Sequence, residues 1–230
     1  MSLDASFCQS CGRETLEKRR VEDRRLRESL HDKQRATQAM VIVFLGVLLG
    51  LVLSPRGAVV VPYLVFLLSG VIAVVHLAPR AFAASLAASA PLRTTFAYLA
   101  LGALIAVPTF LLSYLYVFAL MGDGGETGAA ADGLSLSLLL TVCILPALVE
   151  EWLCRGVLWE AARRIAGAGN TILITAILFA MMHGLGGGWF LEFPHRFAMG
   201  LIFGWLRLRS RSLLPGMLAH FVHNLLALVV

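Results

Sequence analysis

A charge-free apolar run, residues 134–149, ends in two adjacent acids, Glu150 and Glu151, with Arg155 one turn further on. No other feature constrains the chain as much. The run reads as part of a membrane-spanning helix, because about 20 apolar residues cross a bilayer. On insertion scales a charged residue at the helix centre costs about 2.5–3.5 kcal/mol, so two ionised, unpaired acids would cost roughly 5 kcal/mol or more. Intramembrane ionisable groups face a bundle interior or a wet cavity and usually mark function. Other helices must therefore surround this one.

The chain supplies them. Apolar segments fall at roughly 40–53, 59–77, 95–121, 134–165, 171–183, 190–208 and 213–230. The chain is 59% hydrophobic and only 14% charged, with a mean hydropathy of +0.82. Soluble domains carry about 25% charged residues, so an ordinary soluble domain is excluded. The expected fold is all-α: a polytopic membrane bundle of about seven transmembrane helices with a short cytoplasmic head. Three regions follow: a polar head over 1–38, accessory membrane helices over 39–133 and a core over 134–230. Residues 1–38 are polar and show no signal peptide.

Charge distribution sets the expected topology. With the head in the cytoplasm, inward turns carry Arg80, Arg93, Arg163, Arg164, Arg207, Arg209 and Arg211. Outward turns carry Arg56, then Asp123, Glu126 and Asp132, then glycines. The positive-inside rule then predicts a multi-pass integral membrane protein with a cytoplasmic amino terminus and an external carboxyl terminus. The net charge is +5, yet the basic residues before Ala36 are interleaved with acids, so no nucleic-acid partner is expected. The lipid bilayer itself is a partner.

The head opens with Cys8 and Cys11, a CxxC that presents two thiolates as one knuckle of a zinc ribbon does. No second knuckle follows, and His31 is poorly spaced. The pair is a candidate zinc half-site, and sharing it between two chains would make a dimer through the head. From Glu14 to Gln38 acids and bases recur at i,i+3 and i,i+4, which supports an exposed helix. Cys143 and Cys154 lie in apolar helical context, where free cysteine packs as a small hydrophobe.

Two later segments carry polar residues that lipid alone would not favour. One ends in Phe179-Ala180-Met181-Met182-His183; the other contains His220-Phe221-Val222-His223-Asn224. His220 and Asn224, at i,i+4, share a helix face. His223 lies close to that face, and His76 and His195 read as packing residues near segment ends. Glu151 and Arg155 are also i,i+4 and suit an intrahelical ion pair. Glu150 points about 100° away and faces another helix. Burial predicts a cavity holding Glu150, His183, His220 and Asn224 with water.

Such a set suits amide hydrolysis. A poorly solvated carboxylate can take a proton from water near neutral pH. One histidine orients that water or protonates the leaving amine. The other histidine and the asparagine donate to the oxyanion. Alternatively, His183, His220 and Glu150 supply the His2Glu set of a catalytic zinc or another divalent metal, which would activate the water. A non-enzymatic reading also exists: a transporter or immunity protein using Glu150 and the histidines as a proton or cation relay. The outward-facing segments offer few further ionisable groups for a path across the membrane.

Taken in order, Glu150-Glu151-x-x-x-Arg155, Phe179-x-x-x-His183 and His220-x-x-x-Asn224 resemble the motifs of the CAAX protease and bacteriocin-processing family of intramembrane endopeptidases. The resemblance covers roughly residues 134–230. It implies a protease acting on a membrane-associated peptide or protein that enters from the membrane. Glu150 would be the water-activating carboxylate and Glu151 with Arg155 the supporting pair. His183 and His220 would be catalytic or metal-facing, and Asn224 an oxyanion donor. Both glutamate-dependent and metal-dependent hydrolysis stay open.

Overall fold

The computed structural model describes residues 16–53, 60–77, 91–121, 134–183 and 189–230. Among these residues the regular elements are all helical, as expected from the sequence. We number the helices α1 (Leu16–Val52), α2 (Val60–Leu77), α3 (Leu92–Met121) and α4 (Leu136–Ile165). They continue as α5 (Ala168–Met182), α6 (Trp189–Ser210) and α7 (Leu214–Val229). The Cys8–Cys11 pair, Arg56, Arg80, the acidic turn over 122–133 and the glycines at 184–188 lie outside the described residues.

The helices are not equivalent spans. By length and composition, α3 and α4 are long and apolar enough to cross a membrane. Helices α5 and α7 are apolar but have only 15 and 16 residues. Helix α6 carries Glu192, Arg196, Arg207 and Arg209. The outer flanks are themselves apolar: Leu64, Leu68, Leu104 and Leu112 are exposed by 60, 60, 69 and 68%. Apolar surface of that extent suits hydrocarbon better than water.

Helix α1 joins two chemistries without a break. Its first turns are charged and exposed, with Lys18 and Glu22 paired at 3.8 Å. Its later turns bury Ala36, Ala39, Val43 and Val47 completely. These residues recur at helical spacing, so they form one apolar stripe against α2, α4 and α5. The helix runs straight through position 38, where the sequence divides the polar head from the apolar region. Arg164 at the end of α4 ion-pairs with Asp32 of α1.

Helix α4 is the central column. The α1–α2 pair packs against it, as does α7, which is itself paired with α3, and α5 and α6 cover its second half. It is capped by Ser135, whose hydroxyl accepts from the Leu138 N–H at 3.1 Å. It then leaves α-geometry twice, with π-helical turns at Leu139–Ile144 and Trp152–Leu158. The α-helical piece between them, Leu145–Glu151, carries both acids. Pro146 gives the first wide turn a local cause. It has no N–H, so the Val142 carbonyl four residues earlier loses its α-helical donor. Single-turn π segments inside α-helices are frequent at functional sites.

Candidate active site

The two acids are neighbours in sequence but point into different surroundings. Glu151 is fully buried. Its Oε1 accepts from Arg155 at 2.8 Å, as the i,i+4 spacing predicts. Arg155 has a second partner: its other terminal nitrogen donates to the Gly200 carbonyl on α6 at 2.9 Å. The guanidinium carbon lies 4.5 Å from the Phe179 ring centre and 5.3 Å from that of Phe203. Cation–π contact of this kind compensates part of the charge's lost hydration.

Two glycines make this cluster sterically feasible. A Cβ at Gly200 would lie 2.8 Å from the Ala176 backbone, so only glycine permits this approach of α5 and α6. A Cβ at Gly216 would lie 2.9 Å from Glu151 Oε2. Gly216 is in the first turn of α7, where unsatisfied N–H groups and the positive end of the helix dipole favour a carboxylate.

Glu150 faces the end of α5. Its Oε2 lies 3.4 Å from His183 Nε2. The opposite ring nitrogen, Nδ1, is 2.8 Å from the Phe179 carbonyl. A carbonyl only accepts, so Nδ1 carries a proton and donates it there. This bond explains the Phe-x-x-x-His spacing: the histidine closes α5 and folds its ring back onto the carbonyl four residues earlier. The Phe179 side chain is equally committed. It is fully buried and lies 4.8 Å from the His183 ring and 5.5 Å from that of His220, centre to centre.

The single cavity expected from the sequence separates into two contacts. His220 turns to Glu151, with Nδ1 3.4 Å from Glu151 Oε1. Its ring stacks on Phe203 at 5.4 Å. The cause is the angular separation of consecutive helical side chains: Glu151 points at the start of α7 and Glu150 at the end of α5. Asn224 donates its side-chain N–H to the Val142 carbonyl at 2.9 Å, the acceptor that Pro146 releases. An amide has two such hydrogens, so one remains beyond this bond. Pro146, four residues after Val142, is the sequence signal for this contact; the motif pattern does not contain it.

Three other histidines, His76, His195 and His223, have local partners. His76 Nε2 is 2.6 Å from Gln38 Oε1, joining α2 to α1. His195 packs near Tyr116, with ring centres 5.7 Å apart. His223 is buried with its ring edge on Phe110 at 5.9 Å.

The ligand set His183, His220 and Glu150 does not assemble. Among the described residues, no three His, Cys, Asp or Glu side chains converge closely enough to hold a metal ion. The rotation of His220 toward Glu151 is the reason. Cys8 and Cys11 lie outside the described residues. Cys143 and Cys154 are buried thiols, with Cys154 Sγ 3.7 Å from Met182 Sδ.

Residues 132–226 match the family model described as type II CAAX prenyl endopeptidase, Rce1-like. The match contains all three motifs and bears out the resemblance they carry. Together with the apolar helices, it marks a membrane protein and supports a CAAX-type intramembrane endopeptidase in general terms. Comparisons with curated proteins and with solved structures find no match.

Proposed function

We propose that this protein is a multi-pass intramembrane endopeptidase in which Glu150 and His183 activate the attacking water. One observation carries the reading: Glu150 Oε2 faces His183 Nε2 at 3.4 Å while His183 Nδ1 is held by the Phe179 carbonyl. In the neutral ring, Nε2 is then an acceptor, and an ionised Glu150 is another. A water donating one hydrogen to each satisfies both. This water is the nucleophile. Glu150 takes its proton, and the oxygen attacks the peptide carbonyl. The proton then passes to the leaving amine as the C–N bond breaks.

The second cluster serves positioning. Glu151, Arg155 and Gly200 tie α4 to α6, and His220 brings α7 to the same carboxylate. Asn224 holds α7 to the proline-released carbonyl, and its second amide hydrogen is an oxyanion donor. In this reading the substrate is a membrane-associated peptide or protein reaching the site from the bilayer. The amino terminus is cytoplasmic and the carboxyl terminus external. The Cys8–Cys11 knuckle pairs two chains at the head.

The test uses protein purified in detergent and a quenched peptide library, with and without chelator. Cleavage that survives chelation and disappears in Glu150→Gln is the expected result. Cleavage lost to chelator and restored by zinc overturns the carboxylate mechanism. Cleavage undiminished in Glu150→Gln removes Glu150 as the base.

A further inference from the structure

We propose that the groove between α1 and α5 holds one acyl chain of an anionic phospholipid, with the headgroup phosphate at Lys33 and Arg163. This site stands whether or not the chain cleaves peptides.

Both helices pack on the last turns of α4 and leave a space of about 350 Å³ between them. One wall is Thr37, Met40, Val41 and Phe44 of α1, which share a helix face at i, i+3, i+4 and i+7. The other is Ile174, Ile177, Leu178 and Met181 of α5, at the same spacing. Val41, Phe44 and Ile177 are 49, 40 and 44% exposed, so the groove opens on the apolar outer surface. The Thr37 hydroxyl donates to the Lys33 carbonyl of its own helix at 3.0 Å, and the other side chains of both walls are apolar. The occupant is therefore hydrocarbon over this length, about 10 Å for seven residues of helix.

One end of the groove is cationic. Arg164 of α4 ion-pairs with Asp32 of α1, and α5 begins just beyond it at Ala168. Asp32 and the start of α5 thus lie at one level. From there α1 and α5 run in the same direction, reaching Thr37 and Ile174 first and Phe44 and Met181 last. Lys33 stands one turn outside Thr37 on the same face of α1. Arg163 is in the last turn of α4 beside Arg164, and Lys33 and Arg163 are both exposed. Asp32 is committed to Arg164. An ammonium and a guanidinium at the polar end of a hydrocarbon groove suit a phosphate, and basic residues at a membrane edge attract anionic lipids.

The same helix shows why the occupant is a resident lipid and not a part of the substrate. Ala176, Phe179 and His183 form the stripe of α5 that lies about 180° from the groove wall. That side meets Gly200 of α6 and, through His183, Glu150. A peptide at the Glu150–His183 pair is therefore on the far side of α5 from the groove.

Native mass spectrometry of the protein in detergent, incubated with phosphatidylglycerol or with phosphatidylcholine of the same chains, tests the assignment. One phosphatidylglycerol is expected to stay bound under conditions that strip phosphatidylcholine. Ile177→Trp and Val41→Trp, which fill the groove from its two walls, should abolish that retention. Leu104→Trp, on the 69% exposed flank of α3, should leave it intact. Lys33→Gln and Arg163→Gln should each weaken phosphatidylglycerol binding about fivefold. Equal retention of the two lipids would mean unselective lipid only and overturn the proposal. Retention undiminished in both tryptophan variants would place the lipid elsewhere, with the same consequence. Displacement of the bound phosphatidylglycerol by a lipid-modified peptide would make the groove a substrate site and also overturn it. Thermal unfolding in detergent accompanies each variant. If neither tryptophan variant folds, Lys33→Gln and Arg163→Gln decide: unchanged phosphatidylglycerol retention in both would remove the site.

Discussion

Two regions of α4, one residue apart, show how the same side chain is put to different uses. Around Glu151 everything is enclosed: a guanidinium at 2.8 Å, two phenylalanine faces, a histidine at 3.4 Å and a glycine with no room for a Cβ. Beside Glu150 lies His183 at 3.4 Å, and that histidine's side chain is 17% exposed. The first region has the features of a structural junction among α4, α5, α6 and α7. The second is buried at Glu150 and partly exposed at His183. A buried ion pair holds geometry only while both partners are present. A water-activating carboxylate must instead keep a face for its reactants.

Substitutions that break the contrast should differ in kind as well as size. Glu150→Gln keeps shape and removes the base, so cleavage should fall by about a thousandfold, with the unfolding temperature near that of the wild type. A large loss of stability instead would make Glu150 structural and erase the distinction. Arg155→Ala strands Glu151 in the interior and should cost about 3–5 kcal/mol of stability, read from thermal unfolding in detergent. Replacing Glu151 and Arg155 together by glutamine should cost less than Arg155→Ala, because no buried charge is left alone. Additive costs would show that the pair is not coupled.

Gly216→Ala probes the wall of the enclosed region. Its new methyl would meet Glu151 Oε2 at 2.9 Å, and overpacking of this kind costs about 1–3 kcal/mol. Activity should then fall through displacement of α7 and His220. An unaffected protein would mean that the junction yields easily. The smallest effect is expected far from both acids. Asp32→Asn removes the ion pair to Arg164 at the partly exposed edge of α1 and α4. It should change stability by at most about 1 kcal/mol, an effect weakened further by salt. A larger cost would tie the charged part of α1 to the core more strongly than its exposure indicates.

The motif residues were legible in sequence because each is chemically out of keeping with its apolar neighbours. The intrahelical contacts were legible too: Glu151 with Arg155 and Phe179 with His183 follow from four-residue spacing alone. The partners across helices were not. Spacing along α7 brings His220 and Asn224 to one face but does not say which acid that face meets. The two π-helical turns were also hidden, although Pro146 was a visible cause for the first.

By itself, the sequence determined the helical class, the order of the apolar segments and the three motifs that resemble the intramembrane endopeptidases. Apolar length and i,i+4 periodicity are properties of a single helix, so they need no partner to be read. Only the tertiary structure decided that Glu151 shares His220 and that Glu150 has His183. That division depends on the rotation of α4 against α5 and α7, on a proline that releases one carbonyl to Asn224, and on glycines that let the helices approach closely enough for these groups to meet.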